Sequence, residues 1–246
     1  MYFRVYFRSY LIYGSGLPEV KGLGLVYIML VQTLLDARTE LLTCNSCFEG
    51  LDQTCRHGLD LIGRPVQGSI LVIGPGCDGP AVQGSAQVSD GSYLLEDAVP
   101  WVRHAAQLFE VPFSTLVQNF QFVHLVQHSI QSQDRPVLPV WNQVKRACPD
   151  RWLRKLLPLL RPRLLIWTGR EALDQLARWG GTVKGSKCRL NMKLDRLHGQ
   201  SVMLDLDGHV WPGLITYALH DRARGFWARD RQARIKIRDG LSRHGV

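Results

Sequence analysis

Three short apolar runs constrain the fold of this chain more than any other feature of the sequence. The runs are rich in β-branched residues and lie at Ser69–Gly74, Phe120–Val126 and Arg163–Thr168. Runs of this kind are typical of buried parallel strands. Segments with helical character alternate with them, at Leu94–Phe109, Trp141–Leu160 (interrupted at Pro149 and Pro158) and Gly169–Trp179. This alternation predicts a three-layer α/β/α sandwich with a central, mainly parallel sheet.

The C-terminal part of the chain adds further elements to this sheet. Ser201–Leu206 and Leu214–Leu219 are predicted strands, Gly180–Gly199 is a loop or hairpin, and a last helix covers Arg222–Leu241. A length of 246 residues suits a single domain with one sizeable core. We expect this domain to span residues 29–246.

Residues 1–28 form an N-terminal extension whose place in the folded domain the sequence leaves open. The apolar run from Leu23 to Leu35 is shorter than the roughly 18–20 residues of a spanning helix. No small-residue cleavage site follows it, so we expect neither a membrane anchor nor an export signal. Together with the few cysteines, this predicts a cytoplasmic protein.

A surplus of positive charge points to a polyanionic partner, and nucleic acid is the commonest one. Lys and Arg total 30 against 21 Asp and Glu, a formal net charge of +9. Eight of the basic residues lie between Arg222 and Val246, where there are only two acids. A helix over Arg222–Lys236 would present cations to phosphates and use Phe226 and Trp227 as an apolar wedge, or it would be a solvated amphipathic helix. The cations predicted to contact DNA are Arg222, Arg224, Arg229 and Arg231.

A second basic segment would also either contact the phosphates of DNA or be exposed to solvent without a partner. It holds four cations, namely Lys184, Lys187, Arg189 and Lys193.

One cysteine pair has the spacing of a metal or redox motif. The chain has six cysteines, too few for a disulfide scaffold, and only Cys44 and Cys47 form a C-x-x-C. In a protein without an export signal such a pair is more typical of metal binding or redox chemistry than of a structural disulfide.

The order of these parts resembles the iron–sulfur uracil-DNA glycosylases, often called family 4. The similarity covers about residues 29–241. Its strongest stretch is Pro162–Arg170, where the family has a strand read as I-x-x-x-G-R-x-A and this chain continues Ile166-Trp167-Thr168-Gly169-Arg170-Glu171-Ala172. The other segments that match the family are Cys44–Cys47, Val72–Gly76, Phe122–His124, Cys148 and Thr216–His220. The specificity lies in their order and spacing together.

The resemblance implies a 4Fe–4S cluster with a structural role. Cys44, Cys47 and Cys148 stand where the family has three of its four thiolate ligands, and His128 stands near the position of the remaining one. Cys55 and Cys77 are rival fourth ligands. A zinc site, or no metal, is the alternative.

The resemblance also assigns the catalytic groups. Hydrolysis of an N-glycosidic bond develops positive charge on the sugar and negative charge on the departing base. Asp78 is the acid nearest to the family's catalytic position, and His220 ends the late strand, where the family uses a His near the base. Alternatively, Asp78 is an Asx-turn residue between two glycines and His220 caps a helix or contacts a phosphate.

The predicted base pocket differs from the uracil-binding pocket of the family. Its predicted residues are Gly74, Pro75, Gly76, Gln87 and His124. The segment Gly84–Val88 has no aromatic residue for stacking, and His124 replaces the Asn that reads the edge of uracil in the family. We therefore expect a larger or decorated base, such as a modified cytosine in phage DNA. Alternatively, Tyr93 supplies the stacking ring and uracil remains the substrate.

The sequence as a whole predicts a monomeric, monofunctional DNA glycosylase that acts on a flipped-out base and leaves an abasic site. Its setting would be base-excision repair or antiviral defence against modified DNA. The alternatives are an ordinary uracil-DNA glycosylase and a non-catalytic DNA-binding module with this fold. A nucleotide hydrolase is disfavoured because the chain has no G-x-x-x-x-G-K-S/T phosphate loop.

Overall fold

The computed structural model describes residues 32–33, 36, 56–57, 63, 67–74, 100–126, 128–129, 138–190, 192–219, 225, 227 and 230–246. Within them a seven-stranded sheet has the order β3-β2-β5-β9-β8-β6-β7, and β1 and β4 form a separate two-stranded ribbon. The strands are β1 (Arg56–His57), β2 (Ile70–Gly74), β3 (Phe120–His124), β4 (His128–Ser129), β5 (Leu164–Thr168), β6 (Thr182–Val183), β7 (Ser186–Lys187), β8 (Ser201–Leu206) and β9 (His209–Thr216).

Helices separate most of the strands along the chain. They are α1 (Pro100–Phe109), α2 (Phe113–Asn119), α3 (Leu138–Cys148), α4 (Arg154–Leu160), α5 (Gly169–Arg178), α6 (Leu194–Leu197) and α7 (Arg231–Arg243). A π-helical turn, Pro149–Leu153, joins α3 to α4.

The sheet is mostly parallel, as the alternation of runs predicts. β3, β2, β5 and β9 pair in parallel, whereas β8 is antiparallel to both β9 and β6. β7 in turn is antiparallel to β6, so all strands of the sheet except β8 and β7 share one direction.

Two apolar layers cover the sheet, one on each face. Successive residues of β2 alternate between them, as the period of a strand requires. Leu71 and Ile73 belong to the layer that contains Cys148 and Trp152, whereas Ile70 and Val72 belong to the layer that contains Trp227. These four residues of β2 are completely buried. The fold is therefore the predicted three-layer α/β/α sandwich.

Two predicted helices differ from the observed ones. Pro149 does not break the chain between α3 and α4, because the π-helical turn absorbs it, and Pro158 lies inside α4. The helix predicted from Arg222 to Leu241 is not continuous: Gly225 and Trp227 are helical, and a separate helix, α7, begins at Arg231. Asp230 is non-helical, and its side chain caps α7 by accepting the backbone N–H of Ala233 at 2.8 Å.

The last strand also begins earlier than its apolar run indicates. β9 starts at His209 and forms a hairpin with β8 through Asp207 and Gly208, both of which have positive φ. Two consecutive positive φ angles are the requirement of a type I′ turn, which matches the twist of the flanking strands.

Candidate functional site

The carboxyl ends of the parallel strands bring several predicted residues to one edge of the sheet. Gly74 at the end of β2 is the register partner of His124 at the end of β3. Thr168 ends β5 and is paired with Thr216, which ends β9. The carboxyl edge of a parallel sheet is where α/β proteins bind ligands. This edge is therefore the candidate site.

Two hydrogen bonds link this edge across three strands. The buried hydroxyl of Thr168 donates to the carbonyl of Ile73 at 2.9 Å. The backbone N–H of Leu125 donates to the carbonyl of Gly74 at 3.0 Å. The exits of β2, β3 and β5 are thus fixed relative to one another.

The Gly169-Arg170 turn of the predicted motif has a structural reason. Gly169 begins α5 with φ +82°, a conformation that L side chains rarely adopt. A Cβ atom there would lie 3.2 Å from the Cβ of Ala218, in the segment that follows β9. The glycine therefore allows the start of α5 to approach the chain that leads to His220.

A buried histidine that the sequence does not indicate lies beside this edge. His198 follows α6, is 2% exposed, and its Nδ1 accepts the backbone N–H of Tyr217 at 3.2 Å. Its ring contacts those of Tyr217 and Trp227, with centroids 4.2 and 4.7 Å away. Burial lowers the pKa of His198 to about 4, although the carboxylate of Asp230 acts in the opposite direction.

His198 is therefore neutral, and its proton lies on Nε2 because Nδ1 is an acceptor. That Nε2 atom is buried and has no hydrogen-bond partner among the described residues. His198 lies in no recognisable motif, so its position next to β9 arises only from the fold.

Only part of the predicted base pocket and catalytic pair lies in the described residues. Gly74 is buried, and His124 is 5% exposed at the predicted strand end. The remaining predicted residues, Pro75, Gly76, Asp78, Gln87 and His220, lie outside the described residues.

A small cleft opens beside the end of β3, on the side of α3 and α5. Its volume is about 90 Å³, and its lining includes Leu125, Asn142 and the ion pair of Lys145 with Glu171 at 3.0 Å. Asp174, also in the lining, pairs with Arg170 at 3.0 Å. Because opposite charges neutralise each other here, this cleft has no clear preference for an anion or a cation.

Of the predicted metal ligands, the structure describes the side chain of Cys148 alone. Cys148 ends α3 and is completely buried in an apolar layer. A dry apolar surrounding suits a structural iron–sulfur or zinc site, and thiols with an imidazole are a fitting donor set. Cys44 and Cys47 lie outside the described residues, among which no group of three or more potential ligands is found.

The pairing of β1 with β4 bears on which residue is the fourth metal ligand. His128 in β4 is the register partner of His57 in β1, and Cys55 immediately precedes β1 in the sequence. The backbone pairing therefore brings the chain segment after Cys55 next to the strand that carries His128. Cys77 lies outside the described residues.

The structure describes only part of the segment that is predicted to contact DNA. Arg231, at the start of α7, is exposed, whereas Arg222, Arg224 and Arg229 lie outside the described residues. Trp227 is not a wedge: it is 1% exposed, and its Nε1 donates to the carbonyl of Ala218 at 3.3 Å. The ring of Trp227 belongs to the apolar layer that contains Ile70 and Val72 of β2.

The outer face of α7 remains cationic. Arg234 pairs with Glu110 at 3.1 Å, while Arg231, Lys236 and Arg238 are exposed. Within the described part of the chain, these three cations form no ion pair. Charge that no carboxylate neutralises is available to an external anion.

Comparison of the chain with known protein families finds no match, and comparison with curated proteins also finds none. Among the described residues, each helix is too short or too polar to cross a membrane.

Proposed function

We propose that this protein is a divergent DNA glycosylase of the iron–sulfur uracil-DNA glycosylase type, acting on a flipped-out base. One observation carries the proposal. The sheet order brings together, at one edge, the ends of β2 and β3 and the exit of β9 toward His220. These three segments are far apart in the sequence. A glycosylase needs the residues that they carry to surround one flipped-out nucleotide.

The proposed reaction is hydrolysis of the bond between the base and C1′ of the sugar. Water supplies the oxygen that bonds to C1′, and the departing base takes up a proton as the glycosidic bond breaks. Asp78 orients the water or stabilises the cationic sugar, and His220 donates a hydrogen bond to the base. An abasic site remains in the strand.

The metal in this proposal has a structural role. A 4Fe–4S cluster held by Cys44, Cys47 and Cys148, with His128 as the fourth ligand, would tie the N-terminal segment to the end of α3. Zinc at the same residues would serve the same purpose.

The proposed substrate is DNA that carries a modified base, for example a decorated cytosine, rather than plain uracil. His124 at the end of β3 supports this, because an imidazole does not offer the donor and acceptor geometry of an Asn side chain. The cations on α7 support DNA as the partner, since phosphates would neutralise them.

The decisive experiment measures base release from defined duplexes. The full chain is incubated with DNAs carrying uracil, hypoxanthine, hydroxymethylcytosine or glucosylated hydroxymethylcytosine, and abasic sites are scored by alkaline strand cleavage. Asp78→Asn should abolish release while DNA binding persists. Asp205→Asn, which removes an exposed carboxylate on β8, is the matched control and should release base normally.

Two outcomes contradict the proposal in different ways. Binding to DNA without release from any of the duplexes indicates a non-catalytic DNA-binding module. Release that survives Asp78→Asn removes this carboxylate from the mechanism.

A further inference from the structure

We propose that strands β6, β7 and β8 form a docking surface for a second copy of this chain, on the face of the sheet that carries Met203. The inference goes beyond the proposed function and does not depend on it.

The helical layer on this face ends at β9. Helix α7 packs closely on β9, where a Cβ atom added to Gly240 would lie 2.8 Å from Cδ1 of Leu214. On the neighbouring strand β8, the register partner of Leu214 is the exposed Ser201. Exposed and buried residues alternate along β8, and its buried residues belong to the apolar layer on the opposite face. Within the described part of the chain, β8 is therefore covered on one face only.

Apolar side chains lie at the centre of the uncovered face. Met203 is 43% exposed, and Val210 on β9 is 57% exposed. Met203 is the register partner of Pro212, and Val210 precedes Pro212 by two residues on the same face. An exposed face of an antiparallel sheet normally carries polar side chains, whereas clustered apolar ones indicate a contact surface.

Charges of opposite sign flank this apolar centre. Asp205 is exposed and follows Met203 by two residues on β8, so both are on one face. Lys187 on β7 is exposed as well. It is the register partner of Thr182 on β6, which in turn is the register partner of Met203. Neither Asp205 nor Lys187 forms an ion pair with a described residue.

The positions of these two charges fit a two-fold axis. An axis that is parallel to the strands and close to β6 exchanges β7 and β8, so β7 of each copy lies over β8 of the other. Lys187 of each copy then lies over the strand that carries Asp205 in the other copy, and its aliphatic stem covers Met203. The same ion pair forms twice, as an isologous interface requires.

Other kinds of partner fit this face less well. The carboxylate of Asp205 would repel the phosphates of a nucleic acid. A wholly apolar surface would bury both Asp205 and Lys187 without a partner, which is costly. A face of three short strands is also smaller than the roughly 800 Å² per partner of a standard interface. We therefore expect a reversible dimer that forms at micromolar concentrations and dissociates at nanomolar ones.

Sedimentation equilibrium of the full chain over a range of concentrations tests the inference. The average mass should rise toward twice that of the monomer. Met203→Asp should weaken dimerisation at least tenfold, because it places a carboxylate in the apolar centre. Val117→Asp is the matched control, since Val117 on α2 is also 43% exposed but lies outside this face. It should dimerise as the unmodified protein does.

A charge exchange tests the two-fold arrangement itself. Lys187→Asp and Asp205→Lys should each weaken dimerisation about tenfold, because both ion pairs of the dimer become repulsions. The variant that carries both substitutions restores each pair with its signs exchanged. It should therefore dimerise as the unmodified protein does, which a partly unfolded variant would not.

Three results would overturn the inference. They are a monomeric mass up to the solubility limit, dimerisation that Met203→Asp leaves unchanged, and a double charge variant that dimerises no better than the single ones. Base release is measured at nanomolar protein, where we expect the monomer, so the absence of a dimer leaves the proposed function intact. Conversely, a protein that dimerises as described but releases no base contradicts the proposed function alone.

Discussion

The Nδ1 atom of His198 accepts the backbone N–H of Tyr217 at 3.2 Å, immediately beyond the end of β9. Tyr217 is three residues before His220, so the imidazole fixes the start of the segment that carries the proposed catalytic histidine. Trp227 packs edge-on against the same imidazole, with an interplanar angle of 80°. His198 is in this sense a positioning residue for the carboxyl edge.

The neutral state of His198 predicts a stability that depends on pH. Because burial lowers its pKa from 6.5 to about 4, the unfolded chain binds a proton between these values and the folded chain does not. The contribution of neutral His198 to the free energy of unfolding is complete above pH 6.5 and is lost as the pH falls toward 4. It amounts to about 3 kcal/mol. Urea unfolding at a series of pH values measures it.

His198→Asn keeps an acceptor for Tyr217 but removes the titration, so its free energy of unfolding should vary less between pH 6.5 and 4. His209→Asn, at an exposed imidazole, is the control and should retain the normal decrease. Identical pH profiles for the two variants would show that His198 does not carry the effect.

The contact of Gly169 with Ala218 predicts a second effect on stability. Gly169→Ala combines a positive φ with a Cβ contact of 3.2 Å, and we expect it to lower the free energy of unfolding by about 2–3 kcal/mol. Gly208→Ala has a similar φ of +78° but nothing within 4 Å, and it should cost about 1 kcal/mol. Equal losses in urea unfolding would mean that the close approach to Ala218 has no energetic weight.

The sequence predicts the parallel half of the sheet well, for a physical reason. β2 and β5 are continuous apolar runs that are buried on both faces, so each strand is visible within a few residues. β9 is less visible because Pro212 and Gly213 interrupt its pattern, and these residues usually mark turns or bulges. Its hairpin with β8 supplies the pairing that the local sequence does not indicate.

The candidate site is less predictable than the fold. Gly74 and His124 are found because they end recognisable strands. His198 is not found, since its contacts with Tyr217 and Trp227 depend on long-range packing. The same packing explains why Trp227, which is in a basic segment, is buried instead of facing DNA.

The proposed metal site predicts different behaviour for the two buried cysteines of the described residues. Cys148→Ser should bleach the brown colour of anaerobically purified protein and lower its melting temperature, because a thiolate ligand is lost. Cys188→Ser is the control: burial raises the pKa of this thiol, which favours the neutral form, and the colour should remain. A colourless protein with stoichiometric zinc would contradict iron but leave the fold unaffected.

The outer face of α7 predicts the salt dependence of DNA binding. Arg231 and Arg238 are exposed and two helical turns apart, so they lie on one face of the helix. Replacing both with Ala should reduce the slope of log affinity against log salt by about one per lost phosphate contact. Arg154→Ala, at an exposed cation that already pairs with Asp207, should leave the slope unchanged. An unaltered slope in the double variant would exclude α7 from the DNA interface.

The side chain of His124 predicts which base the protein releases fastest. His124 is nearly buried at the end of β3, opposite Gly74. We expect the protein to release uracil more slowly than a modified cytosine, because an imidazole carries its hydrogen-bonding atoms on a ring whose geometry and reach differ from those of an Asn amide. A matched polar contact in a dry pocket is worth about 1–3 kcal/mol, so His124→Asn should speed uracil release by roughly ten- to a hundredfold.

His104→Asn, at another buried imidazole on α1, controls for a general loss of packing and should not change the preference between bases. If the unmodified protein releases uracil as fast as any modified cytosine at equal concentrations, the altered pocket has no role in specificity. The protein would then belong to ordinary uracil repair, with a different residue reading the edge of the base.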